Sequence, residues 1–222
     1  MSFTDLQICD YLIRLYAWQG EPGVWDYADL GQGSNGICWA VKGDADEDLV
    51  LFRGSVTLLD WLRDFYAVPL PFAHPAFGDV HPGFYIGMPE VWRQIRAITR
   101  PQRNIAGHSL GGGRACMCTA LAIQDGEPPI RRVVFGCPKP GYSAFARFID
   151  SVPAASYRNG DAKSIDEVTA VPLTLPIFPY RHPGGLVDVS APPAPDLSPD
   201  WGPLNWHHLS LYRQGLANAG IQ

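Results

Sequence analysis

The sequence predicts an α/β fold with a mostly parallel central sheet flanked by helices, and three observations carry this. Short apolar runs rich in Val, Ile and Phe alternate with segments of helical period. One such run leads through a glycine-rich turn straight into a helical segment. The 222 residues are enough to bury one full core, so 1–222 is read as a single domain.

Taken in order, Thr4-Asp5-Leu6-Gln7 is a capping-box pattern that opens an amphipathic helix over about 5–18. Leu6, Cys9, Leu12, Ile13 and Tyr16 lie on one stripe of it. Ile37 to Val41 and Asp48 to Phe52 read as strands joined by an acidic turn. A short helix is expected over Leu58 to Phe65, then a Pro- and Phe-rich stretch to Phe77. Phe84 to Thr99 reads as one helix, stopped near Pro101. Arg103 to Ala106 reads as the end of a buried strand, and Arg114 to Gln124 as a helix. Then come a strand at 132–136, a helix at 142–149 and a short strand at 155–158. Residues 172–203 are Pro-rich without periodicity, which predicts a long ordered connection. Asn205 to Asn218 closes the chain as a helix.

Charge and composition narrow the function classes. A net charge of −5 with no basic run argues against nucleic acid as a partner. No run of 18 apolar residues exists, so no transmembrane segment is expected. The start, Met1 to Leu6, holds an acid, no Lys or Arg and no apolar run. It lacks the pattern of a secretory signal, so an intracellular location or release by a non-signal route is expected. Five cysteines without metal spacing predict buried free thiols. The six histidines show no paired-ligand spacing, so neither a metal nor a cofactor is expected. Asp44 to Asp48 mimics the start of a calcium loop. It lacks the Gly and Glu such a loop needs at its sixth and twelfth positions, and is read as a hairpin turn.

Gly107-His108-Ser109-Leu110-Gly111 is a G-x-S-x-G pentapeptide in a strand-turn-helix setting, which is what a nucleophile elbow requires. A serine hydroxyl is a weak nucleophile until an imidazole takes its proton, and that imidazole needs a carboxylate to hold its tautomer. Downstream of Ser109 stand His182, His207 and His208, preceded by the acids Asp161, Asp166 and Asp188. The chain order Ser, acid, His is therefore available.

Several blocks, in order, resemble the class 3 (fungal-type) lipases of the α/β-hydrolase superfamily. Phe52-Arg53-Gly54-Ser55 with Asp60-Trp61 and Asp64 is similar to their oxyanion-loop block. Val80-His81-Pro82-Gly83-Phe84 and Ile105 to Gly112 resemble two further blocks. Phe135 to Gly141 resembles a fourth, and His208-Leu209-Ser210-Leu211-Tyr212 the block around their catalytic histidine. The resemblance implies an α/β-hydrolase fold and a serine carboxylester hydrolase acting through an acyl-enzyme. It makes Ser109 the nucleophile and His208 the base; His207, about 100° around, would face elsewhere. The N–H groups of Leu110 and Ser55 would form the oxyanion hole, with the Ser55 hydroxyl as a third donor.

The acid departs from the family pattern. Against that pattern about four residues are added after Asn159, and the Asp-x-Val match falls on Asp166. Asp166 is preferred for its spacing to Val171-Pro172, with Asp161 kept open because it lies nearer the strand end. The implied substrate is an acyl ester or lipid. Residues 56–80 would be a lid able to touch a lipid interface, and Leu173, Leu175, Ile177, Phe178 and Tyr180 a second apolar wall. Two alternatives remain: a phospholipase, thioesterase or acyltransferase with the same triad, or a lipid-binding module whose displaced acid impairs catalysis.

Overall fold

A computed structural model of the chain describes residues 3–31, 36–55, 71–193 and 205–222. Its layers follow from which residues each strand sends to which face. The first helix, α1 (Asp5–Ala17), is opened by the capping box: Gln7 N–H donates to Thr4 Oγ1 at 3.2 Å, and Thr4 N–H to Gln7 Oε1 at 2.9 Å. Its buried stripe of Ile8, Leu12 and Leu15 packs with Leu209, Tyr212 and Leu216 of the last helix, α6 (Leu209–Asn218).

Seven strands form the central sheet: β1 (Tyr27–Asp29), β2 (Trp39–Gly43), β3 (Asp48–Phe52), β6 (Arg103–His108), β7 (Arg131–Phe135), β9 (Ala154–Asn159) and β11 (Leu186–Val189), lying in that order. The pairs from β3 to β11 are parallel, and β1 and β2 add an antiparallel edge. Successive side chains on a strand alternate in direction. Leu49 and Leu51 of β3 accordingly join α1 and α6, while Val50 and Phe52 join the opposite cluster. That second cluster includes α3 (Met88–Ile98), α4 (Leu110–Gln124) and α5 (Ser143–Ile149). Parallel strands buried on both faces need such near-continuous apolar runs.

A smaller antiparallel sheet orders β10 (Tyr180–Arg181), β8 (Gly141–Tyr142), β5 (Gly78–Val80) and β4 (Phe72–His74). The parallel register brings Phe52, Gly107, Phe135, Tyr157 and Asn159 to one edge. This carboxyl edge is where open α/β sheets build their sites.

Several expectations need correction. The single helix over 84–99 is two, α2 (Pro82–Tyr85) and α3, because Pro89 has no N–H to offer Tyr85 and sits in the first turn of α3. The elbow helix begins at Leu110, not Arg114; glycines that depress intrinsic propensity are tolerated there because they are packed. The connection expected over 172–203 is ordered but not loop throughout: within its described part, 172–193, lie β10 and β11, and β11 pairs with β9. The final helix starts at Leu209 after a tighter turn at 205–207. The expected helix at 58–65 lies outside the described residues, as does most of the expected lid; its remainder holds β4 and β5. All five cysteines are buried and free.

His182 anchors the segment that carries β10 and β11. Its Nε2 donates to the Thr169 carbonyl at 2.7 Å, a group that can only accept. Burial lowers its pKa to about 4. Below about pH 6.5 the unfolded chain takes up a proton that the folded chain refuses, so stability falls as pH drops towards 4, by up to about 3 kcal/mol. Urea midpoints at neutral pH and at pH 4.5 check this. His182→Gln is expected to lose less stability over that interval than the parent, and equal losses would refute the assignment.

Candidate active site

Ser109 sits where β6 turns into α4, with φ 59° and ψ −131°. It is the one non-glycine residue at positive φ among the described residues. Such backbone strain persists only where its surroundings enforce it. Here Ser109 N–H donates to the Phe135 carbonyl at 3.0 Å, and Gly112 N–H donates to the Ser109 carbonyl at 2.8 Å. The flanking glycines permit the bend: a Cβ on Gly107 would lie 2.1 Å from the Gly111 carbonyl oxygen, and one on Gly111 2.1 Å from that of Phe52. Ser109 is 1% exposed, and its Oγ has no hydrogen-bond partner among the described residues.

Asp166 is completely buried, yet each carboxylate oxygen is engaged. Oδ1 accepts from Val168 N–H at 2.9 Å, and Oδ2 accepts from the Tyr212 hydroxyl and lies 2.6 Å from His207 Nδ1. Residues 160–165, between Asn159 and Asp166, form a closed loop. They close on themselves through the Gly160–Ile165 bridge, and Asp166 N–H returns to the Asn159 carbonyl at 2.8 Å. The loop leaves and re-enters at the strand end, so Asp166 is held beside Asn159 of β9. Asp161, the alternative, caps the loop instead, accepting from Lys163 and Ser164 N–H at 2.7 and 2.8 Å. Those two bonds hold its pKa below the ordinary carboxylate value.

The histidine expectation is overturned by geometry. His207, not His208, meets Asp166, and His207 is 1% exposed. Its Nε2 is buried and without a partner among the described residues, as is Ser109 Oγ. His208 is exposed, with Nδ1 2.8 Å from Ser210 Oγ. The cause is the local backbone. Residues 205–207 form a tight turn that presents residue 207 inward, while His208 is extended at φ −67° and ψ 127° before α6 begins. The His-Leu-Ser-x-Tyr spacing marks the segment that meets Asp166, but the residue that makes the contact is His207, the neighbour of His208. Tyr212, a partner of the acid, was also missed, because its hydroxyl reaches Asp166 only through packing.

Ser109 and His207 flank one short stretch. Ser109 bonds the Phe135 carbonyl, and Gly136 lies under the His207–Asp166 pair. Gly136 has φ +54°, and a Cβ there would come within 2.7 Å of His207 Cε1 and 2.8 Å of Asp166 Oδ2. Gly136→Ala is therefore expected to cost about 1–3 kcal/mol of stability and at least about tenfold in turnover. Chemical denaturation and kinetics on a soluble ester check it, and parental values for both would contradict this reading.

Of the two other expected site residues, Leu110 is the first residue of α4, in the turn whose N–H groups the helix itself cannot pair. Ser55 follows Gly54, and a Cβ on Gly54 would lie 2.9 Å from Ser109 Cβ, so the loop after β3 runs against the elbow. Among the described residues no group of three or more His, Cys, Asp or Glu could hold a metal. None of their helices is long and apolar enough to cross a membrane.

Comparison with known proteins bears on the family and the fold. The chain is 29% identical to a lipase of Rhizomucor miehei over 157 residues, covering 64% of the chain and 42% of that lipase. It is 31% identical over 146 residues to the secreted mono- and diacylglycerol lipase 1 of Fusarium solani, covering 61% of the chain and 42% of the relative. The chain thus spans less than half the length of either relative. The solved Rhizomucor miehei triacylglyceride lipase superposes with a TM-score of 0.56 at 23% identity, over 69% of this chain and 62% of that one, which shows a shared fold. A family model for class 3 lipases matches residues 49–174, more than half of the chain, and the chain belongs to that family.

Proposed function

We propose that the protein is a serine carboxylester hydrolase of lipase or esterase type that cleaves acyl esters through an acyl-enzyme. The observation that carries this reading is the buried Asp166–His207 contact at 2.6 Å, together with His207 Nε2 and Ser109 Oγ left as unpartnered polar atoms at the same sheet edge. His207 replaces His208 as the proposed base.

In this reading His207 Nδ1–H donates to Asp166, which leaves Nε2 bare to accept the Ser109 proton. The Ser109 oxygen then attacks the ester carbonyl, and charge develops on the carbonyl oxygen. The N–H groups of Leu110 and Ser55, with the Ser55 hydroxyl, are the proposed donors to that oxyanion. Each fixed donor contributes about 3–4 kcal/mol to such a barrier. The His207 imidazolium next protonates the leaving alcohol. Water, deprotonated by the same ring, finally releases the acid and restores Ser109.

Two features support an apolar acyl group. Leu173, Leu175 and Ile177 stand 58%, 45% and 74% exposed on the segment that follows the acid loop. Both relatives described above are named as lipases. Apolar surface of this kind suits a lipid better than a charged substrate.

A fluorophosphonate probe tests the reading directly. It should form one adduct per chain, mapping to Ser109 by peptide mass analysis, and abolish hydrolysis of p-nitrophenyl butyrate. A purified, folded protein that neither takes up the probe nor turns over the ester would sink it.

A further inference from the structure

The residue before the nucleophile has no part in the triad, yet both its ring nitrogens are engaged. His108 is 5% exposed, with Nε2 3.0 Å from the His207 carbonyl oxygen and Nδ1 2.8 Å from the Tyr16 hydroxyl. Its ring stacks on that of His207 with centroids 4.5 Å apart. Tyr16, near the end of α1, also lies 2.9 Å from the Gly54 N–H, one residue before the proposed oxyanion donor Ser55.

The proton positions follow from valence. A carbonyl oxygen can only accept, so His108 Nε2 carries the hydrogen. A backbone N–H can only donate, so the Tyr16 oxygen accepts from Gly54. The Tyr16 hydroxyl hydrogen is then free to go to His108 Nδ1, provided that ring is neutral. Burial, and then the neighbouring His207, keep its pKa well below the ordinary histidine value. The result is one directed chain: Gly54 N–H to Tyr16 O, Tyr16 O–H to His108 Nδ1, His108 Nε2–H to His207 C=O.

We propose that Tyr16 and His108 are positioning residues that tie the loop after β3, the elbow and the His207 turn into one preorganised unit. Bonding the His207 carbonyl fixes the peptide plane between residues 207 and 208. Holding the Gly54 N–H sets the approach of Ser55 to the elbow. This inference rests on the reading of Ser109 and His207 as nucleophile and base.

The test uses kinetics on p-nitrophenyl butyrate, with each preparation normalised by fluorophosphonate titration of its active sites. Tyr16→Phe keeps the ring and removes only the hydroxyl. Its kcat per titrated site is expected to fall about 10- to 100-fold with KM within about twofold, since a small misplacement of reacting groups costs rate rather than binding. His108→Leu should fall at least as far, while His108→Gln, which can still donate on one side and accept on the other, should recover most of that loss. A purely structural role would lower the fraction of titratable sites but leave kcat per site unchanged. Tyr16→Phe and His108→Leu with per-site kcat within twofold of the parent would overturn the proposal. Should Tyr16→Phe fail to fold, equal per-site kcat for His108→Gln and His108→Leu overturns it instead. Failure of the parent protein to take up the probe would sink the reading of the triad, a result distinct from any of these.

Discussion

Ser109→Ala and His207→Ala are each expected to lower kcat on p-nitrophenyl butyrate by about four to six orders of magnitude, whereas His208→Ala stays within about threefold of the parent. The two large losses share one origin: without the imidazole the hydroxyl keeps its proton, and without the hydroxyl the imidazole has nothing to activate. The double variant should therefore be scarcely worse than either single one, because residues that act as a unit are not additive. His208 is exposed and bonds Ser210, so its removal touches neither group. Steady-state rates for the four variants decide the matter. A large loss in His208→Ala with a modest one in His207→Ala would restore the register that the sequence motif suggests.

The acid gives the second large effect. Asp166→Asn is expected to reduce kcat by about 10⁴-fold, while Asp161→Asn remains within about threefold. The amide is nearly isosteric but presents an N–H where His207 needs an acceptor, which favours the wrong imidazole tautomer. Stability moves as well, since Oδ2 also accepts from Tyr212 and the site is fully buried. Replacing one member of a buried, fully paired set leaves its partners without compensation. Kinetics must accordingly be normalised to the folded fraction of each preparation, measured by chemical denaturation. Asp161 only closes its own turn, so its loss should read as a small change in loop stability. An Asp161→Asn variant more damaged per folded chain than Asp166→Asn would reverse the assignment.

Much of the scaffold was legible because local rules act over a few residues. The capping box at Thr4 and Gln7, the buried strands at 48–52 and 103–108, and the strand-turn-helix around Ser109 all rest on neighbours in sequence. β1, β10 and β11 were not legible. Each has four residues or fewer, and long-range pairing with another strand gives them their form. The break at Pro89 was visible in principle as a missing donor, but the amphipathic run from 84 to 99 concealed it.

The linear order of residues determined the fold class and marked Ser109, in a turn with glycines on both sides, as the proposed nucleophile. Tertiary structure alone decided which carboxylate and which histidine meet. Asp161 and Asp166 differ by the path of one closed loop, and His207 and His208 by the tight turn at 205–207, which ends at an extended residue 208. Both are set by contacts from distant elements: Asn159 of β9, Gly136 beyond β7, and His108 of β6 held by Tyr16 of α1. Spacing along a chain counts residues but carries no direction, and a proton moves only between atoms that face each other.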